Sequence, residues 1–274
     1  GGPTPVINAT LAAIIDTAKK STEILTLYGM KGGILGAIND DVCCLYDRKF
    51  ARIDDERPGA ILGTCRHKLV DGDCEKILET LKRHSINCVM LIGGNDTMDT
   101  ANRLNDFLKK EKYSCSVLGI PKTVDNDLMI DHSPGFISAA KYVKKSVERI
   151  IYDHKSFYEG GVTIIETMGR NAGWLTAAAY LAEGEAYPDL VYLPEVPVSL
   201  DQILLAMYAI YRSRGYCAIV ISEGARDPSG ELIDSSSVKD SFGHTQLGGI
   251  AEVVGNAFSS RYSGIKVRTE RLGT

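Results

Sequence analysis

NCVMLIGGNDTMDTANRLNDFLKKEKYSCSVLGIPKTVDNDL, residues 87–128, contains one whole structural unit and the chemistry at its end. NCVMLIGG (87–94) and CSVLGIP (115–121) are short apolar runs, and TMDTANRLNDFLKKE between them reads as an amphipathic helix. Strand, helix, strand, with strands that are apolar almost throughout, is the pattern of a parallel pair covered on both faces. Each run then ends in residues that an apolar interior does not need. Gly93, Gly94, Asn95, Asp96 and Thr97 follow the first; Lys122, Thr123, Asp125 and Asp127 follow the second.

The same alternation extends in both directions. EILTLYG (23–29), GVTIIETMG (161–169), DLVYLPE (189–195) and YCAIVISEG (216–224) read as further strands. PVINATLAAIIDTAKK, DCEKILETLKRH, AAKYVKKSVERIIYD, NAGWLTAAAYLAEG and LDQILLAMYAIYRSR read as helices between them. Such a series predicts an α/β fold, doubly wound and Rossmann-like, with mainly parallel sheets and right-handed crossovers. HSPGFISA (132–139), with Pro134 and Gly135 opening a long helix, marks the expected boundary between domains 1–132 and 133–274. Gly1-Gly2 looks like a strand-to-helix turn whose strand is absent, and KVRTERLGT ends where an extended segment should continue, so a trimmed chain is expected.

Composition narrows the possible partners. With 274 residues, a net charge of −4 and 44% hydrophobic residues, the chain reads as an ordinary globular protein. Nucleic acid and membrane surfaces are not expected partners, because both call for a clustered basic face. No apolar run is long enough to span a membrane and the start lacks a signal-peptide pattern, so a cytoplasmic location is expected. The seven cysteines include no C-x-x-C pair and the five histidines no H-x-x-x-H pair, which suggests neither a disulfide framework nor a zinc site.

In open α/β sheets ligands bind at the carboxyl ends of the strands. The glycine pairs Gly1-Gly2 and Gly93-Gly94, each leading into a helix, would let phosphate oxygens approach backbone N–H groups at a positive helix end. Walker A and G-x-G-x-x-G patterns are both absent. Beside bound phosphates, Lys122 could neutralise a transferring phosphoryl group, Asp125 could accept the proton of an attacking hydroxyl, and Asp127 could orient that base or help hold Mg²⁺. The same four residues could also form a solvated turn whose carboxylates cap backbone groups. Met168, Gly169 and Arg170 after one strand and Glu223 after another could add a phosphate-binding fork and a carboxylate suited to sugar hydroxyls, or Arg170 could form a surface ion pair and Glu223 cap a helix.

Taken in order, GGPTPVINA, YGMKGGILGA, ILGTCR, GGNDT, PKTVDNDL, TMGRNAGW, LPEVP and ISEGA resemble the phosphofructokinase family. The resemblance runs from residue 1 to about 226 and returns at KVRTERLG (266–273). It implies two similar domains with the active site between them, and phosphoryl transfer to the 1-hydroxyl of fructose 6-phosphate. By motif, Asp125 corresponds to the general base, and Thr123, Asp125 and Asp127 to the loop facing the sugar. Met168, Gly169, Arg170 and Glu223 correspond to sugar-phosphate contacts. Gly2, Arg66, Gly94, Asn95, Asp96, Thr97 and Lys122 fall on the donor side, with Mg²⁺ at Asn95 or Asp96. Arg268 resembles the arginine lent to a neighbouring subunit's substrate, so a homo-oligomer, dimer or tetramer, is implied.

ATP-using members carry G-G-D-G-[ST] and P-G-T-[IV]-D-N-D where this chain has GGNDT and PKTVDND. Asp96 and Lys122 in place of the two glycines resemble the pyrophosphate-dependent branch, in which the acidic residue fills the α-phosphate space and the lysine meets pyrophosphate. Asn95 departs from the family's metal-binding aspartate. Gly161 stands where bacterial ATP-using members have an arginine. The alternatives are an ATP-dependent kinase or a non-catalytic regulatory subunit. The segment 226–264 is longer than in short bacterial members and should hold a helix near 246–260.

Overall fold

The computed structural model describes residues 2–50, 53, 57–128, 133–234 and 249–273. Eight helices and eight strands follow in chain order among these. The strands are β1 (Tyr28–Met30), β2 (Val42–Cys44), β3 (Cys88–Gly93), β4 (Ser116–Pro121), β5 (Gly161–Thr167), β6 (Leu190–Tyr192), β7 (Tyr216–Ser222) and β8 (Val267–Arg271). The helices are α1 (Pro5–Lys20), α2 (Ile34–Ile38), α3 (Asp73–Arg83), α4 (Asn95–Lys110), α5 (Phe136–Lys155), α6 (Trp174–Ala177), α7 (Leu200–Arg214) and α8 (Ile250–Arg261). Contacts divide the chain into Gly1–Thr123 and Val124–Thr274. The division precedes the expected 132/133 boundary, where residues 129–132 lie outside those described.

In the second unit the sheet runs β6-β7-β5-β8, every neighbouring pair parallel. Its centre, β5, is buried at all seven positions, so alternate side chains serve two layers. Ile165, with Val220 of β7, packs under α5, α6 and the turns after α6. Val162 and Ile164 pack against α7 and α8. Each such isoleucine or valine stabilises the fold by about 1.5–3 kcal/mol relative to exposure. This two-sided cover is the doubly wound arrangement that the apolar runs predict. Ser199 and Gln202 form a capping box at the start of α7, and Gly215, in the left-handed region with φ 78°, ends it.

The first unit is built around two short ladders. β3 and β4 pair in parallel, Cys88 opposite Ser116, and α4 crosses between them. Ile77, Leu78 and Leu81 of α3 and Leu104 and Leu108 of α4 form the core on this ladder. β1 and β2 pair antiparallel, and a second core joins Leu11 and Ile15 of α1 to Leu45 and Phe50.

Two elements differ from expectation. Of EILTLYG only Tyr28 and Gly29 enter a strand, and Leu25 is 87% exposed; the partner VCC is too short to show a period. NAGWLTAAAYLAEG gives α6 and then two 3₁₀ turns, Ala178–Leu181 and Gly184–Ala186. Ala178, Ala179, Ala182 and Ala186 are buried there, so packing on α5 overrides an alanine-rich helix preference. KVRTERLG enters the sheet as β8. The helix expected near 246–260 is α8; positions 246–248 lie outside the described residues.

Candidate active site

Of the residues expected on the donor side, Gly2, Gly94, Asn95, Asp96, Thr97 and Lys122 lie where β3 and β4 end. Gly93 closes β3, and Gly94 is the N-cap of α4, its carbonyl accepting from the N–H groups of Thr97 (3.0 Å) and Met98 (3.1 Å). Asn95 and Asp96 therefore occupy the first turn of a 16-residue helix, both exposed, with Thr97 half-buried. Lys122 N–H donates to Gly93 O at 2.8 Å, which lays the lysine beside this turn. A side chain on Gly94 would meet Lys122 O at 3.4 Å.

Lys122 itself is buried, 7% exposed, and its Nζ donates to Gly2 O at 3.0 Å. The turn before α1 and the turn before α4 thus share one lysine. Pro5 at N1, with its fixed φ, starts α1 at that turn; Gly1 lies outside the described residues. Arg66 is exposed on the stretch ILGTCR, which lies against the Gly32-Gly33 turn through Gly32 N–H to Leu62 O. Thr123, half-buried, ends the unit.

In the second unit, Gly169 and Glu223, expected to contact the sugar phosphate, meet at the carboxyl ends of β5 and β7. Gly169 N–H donates to Glu223 Oε1 at 3.3 Å, and Glu223 N–H donates to Thr167 O at 2.9 Å. Burial raises the Glu223 pKa; the Gly169 N–H opposes this, and the charges of Asp125 and Glu166 push it up further while Arg170 pulls it down. Asp125 and Arg170 are therefore both close enough for Glu223 to feel their charge. Val124 and Met168 both pack on the core under α5 and α6, anchoring their loops to the same layer.

The backbone approach is tight. Side chains on Gly169, Gly173 and Gly224 would come within 2.7, 2.7 and 2.0 Å of Ala172 O, Glu195 Oε2 and Arg170 O. Asn126, with φ 55°, takes the left-handed conformation that asparagine tolerates, and its Oδ1 accepts Ser133 N–H at 3.1 Å. Oδ1 of Asp125 and Oδ1 of Asp127 on either side are both buried. Arg268 is not part of this group within the chain. It stands opposite Thr163, near the start of β5, bonded to Asp153 and to Glu270 Oε1 (2.7 Å).

Four supporting residues were not singled out from the sequence: Asn126, Glu166, Glu195 and Ser222. Ser222 Oγ donates to Gly169 O at 2.6 Å, and Gly173 N–H donates to Glu195 Oε1 at 2.8 Å. Glu166 is buried behind the site and accepts Gly249 N–H (3.0 Å) and Ala251 N–H (3.1 Å), capping α8, with Arg271 Nε at 3.1 Å. A polar residue at the end of an apolar strand was the available signal for Glu166 and Ser222.

For Mg²⁺ the donor set is partial. Among the described residues no three His, Cys, Asp or Glu side chains converge on one point. Asp96 and Asn95 offer a carboxylate and an amide oxygen on an exposed turn. That fits Mg²⁺ carried by phosphates, which takes one or two protein oxygens and fills the rest from substrate and water. No helix among the described residues is long and apolar enough to cross a membrane.

The Phosphofructokinase family profile matches residues 1–274. A protein of Methylococcus capsulatus named pyrophosphate--fructose 6-phosphate 1-phosphotransferase is 35% identical over 95% of this chain and 65% of its own length. A sulfofructose kinase of Alkalicoccus urumqiensis is 36% identical over 100% of this chain and 71% of its own. The crystal structure of a pyrophosphate-dependent phosphofructokinase from Marinobacter aquaeolei superimposes with a TM-score of 0.82 at 31% identity, covering 99% of this chain and 66% of that one. The chain thus spans a little under two thirds of the first relative and of that structure. With its glycine turns, its PKTVDND and TMGR loops and a profile match over its full extent, the chain belongs to the phosphofructokinase family.

Proposed function

We propose that the protein transfers a phosphoryl group from pyrophosphate to the 1-hydroxyl of fructose 6-phosphate, giving fructose 1,6-bisphosphate, reversibly, in glycolysis and gluconeogenesis. Asp125 takes the hydroxyl proton as the new P–O bond forms at that oxygen. The bridging P–O bond of pyrophosphate breaks, and orthophosphate leaves with the bonding electrons. Asp127 orients the base, with Thr123 beside it on the same loop. Arg170 holds the 6-phosphate and Glu223 the sugar hydroxyls, with Met168 and Gly169 shaping their loop. Gly2, Gly94, Thr97, Arg66 and Lys122 hold the donor, so that Gly1–Thr123 is the donor unit and Val124–Thr274 the acceptor unit. Mg²⁺, held with phosphate by Asp96 or Asn95, would offset the charge on the phosphoryl oxygens. Arg268 serves a neighbouring subunit in a homo-oligomer, which requires it to leave Asp153 and Glu270. A cytoplasmic location fits these substrates.

The observation that carries the choice of donor is the buried Lys122 bonded to the Gly2 turn, with Asp96 in the first turn of α4. A carboxylate at Asp96 opposes a nucleotide α-phosphate. At about 4 Å and an effective dielectric near 20 the repulsion is roughly 4 kcal/mol, about three decades in affinity. Coupled assays of the full chain with either donor test this. Pyrophosphate should exceed ATP about a hundredfold in kcat/KM, and Lys122→Met should lower kcat with pyrophosphate by about 10²–10³. Turnover with ATP alone would give the assignment to an ATP-dependent kinase; none with either donor would indicate a regulatory subunit. Sulfofructose offered beside fructose 6-phosphate tests the acceptor.

A further inference from the structure

We propose that Ser222 is a positioning residue, whose buried hydroxyl fixes the peptide joining Gly169 to Arg170 and so sets the acceptor site. The proposal rests on the acceptor reading given above. Ser222 ends β7, is fully buried, and pairs in register with Thr167 of β5. Its side chain shares the sheet face of the buried, apolar Ala218 and Val220, under α5 and α6. A hydroxyl in such a place is destabilising unless its hydrogen bonds are made.

Here they are made to the site loops and to nothing else among the described residues. Ser222 Oγ donates to Gly169 O at 2.6 Å and accepts Gly224 N–H at 3.3 Å. The other face of Gly169, its N–H, goes to Glu223 Oε1. One glycine is thus held on both sides by two consecutive residues of the neighbouring strand end. The restraint matters because residue 169 is a glycine with φ 140°, in a region that leaves its peptides free to rotate. Glycine is required there, since a Cβ would lie 2.7 Å from Ala172 O and 3.3 Å from Ser222 Oγ. The backbone alone therefore does not select one orientation of the 169–170 peptide. The serine hydroxyl does, and with it the direction from which the Arg170 side chain departs.

Ser222→Ala in the full chain tests the proposal. The KM for fructose 6-phosphate should rise about tenfold, while kcat and the pyrophosphate KM stay within about twofold, since a preorganised binding contact is lost and no reacting group moves. Ser222→Cys, similar in volume and a weak donor, should recover part of the loss and covers the case in which the alanine variant folds poorly. Combined with Glu223→Gln, the effect of Ser222→Ala on the acceptor KM should be less than additive, because both act on Gly169. An unchanged acceptor KM in Ser222→Ala, or equal losses for donor, acceptor and kcat, would overturn the proposal. Failure of the wild-type protein to bind fructose 6-phosphate would overturn it together with the acceptor reading, and calorimetry on the wild type separates the two.

Discussion

Replacing Gly224 by alanine should disable the acceptor site without removing any functional group. The Cβ of an alanine here would lie 2.0 Å from Arg170 O and 2.6 Å from Gly169 O. Ordinary contact begins near 3.4 Å, so about 1.4 Å is lacking, and the obstacle is backbone rather than the tip of a flexible side chain. The loop carrying Arg170 is also tethered to this same strand end by Ser222 and Glu223. The two strand ends must part by more than 1 Å, and a displacement of that size at a site can reduce turnover about 10²-fold. Gly224→Ala should therefore lower kcat/KM for fructose 6-phosphate by about 10²-fold, leave the pyrophosphate KM unchanged, and lose about 1–3 kcal/mol of stability through overpacking. Gly273→Ala, with open space around it, is the control. Coupled kinetics and thermal melts read both quantities. A Gly224→Ala protein within twofold of wild type would refute the view that the two loops are locked together.

Glu166→Ala should be among the most destabilising single changes, by about 3–5 kcal/mol in denaturant unfolding, because it strands buried N–H groups at the start of α8 and the Arg271 guanidinium. Arg271→Leu should cost less, since that side chain is half exposed. Asp125→Ala should lower kcat by about 10²–10⁴ with little change in the fructose 6-phosphate KM; a variant keeping half the wild-type rate would remove Asp125 from the chemistry. Glu223 has its pKa raised in the folded state, so the folded protein holds that proton more tightly than the unfolded chain. The resulting stability is fully present below the ordinary value of 4.5 and is lost as pH rises through the folded pKa. Glu223→Gln should therefore gain on wild type as pH rises above 4.5 in denaturant titrations, and a pH-independent difference would contradict this.

Local order in the sequence was enough for the strands β3 to β7 and for the helices α1, α3, α4, α5 and α7. These elements are set by periodicity and by turn residues, which act over a few positions. Lys122, Asp125, Arg170 and Glu223 could be picked out as candidates for the same reason: each lies within a few positions of the end of an apolar run. What needed the tertiary structure is the set of partners. Ser222 finds Gly169 across 53 residues and Glu166 finds Ala251 across 85, and a polar residue closing an apolar strand does not name what it will bond. The antiparallel return of VCC onto Tyr28–Met30 and the break of the alanine-rich α6 into 3₁₀ turns were decided by what packs against them. Arg268 shows the same limit: its motif was plain in the sequence, whereas its bonds to Asp153 and Glu270 depend on β8 lying beside β5 and under the end of α5. Short-range pattern determines which residues stand at strand ends, and long-range packing determines which of them touch.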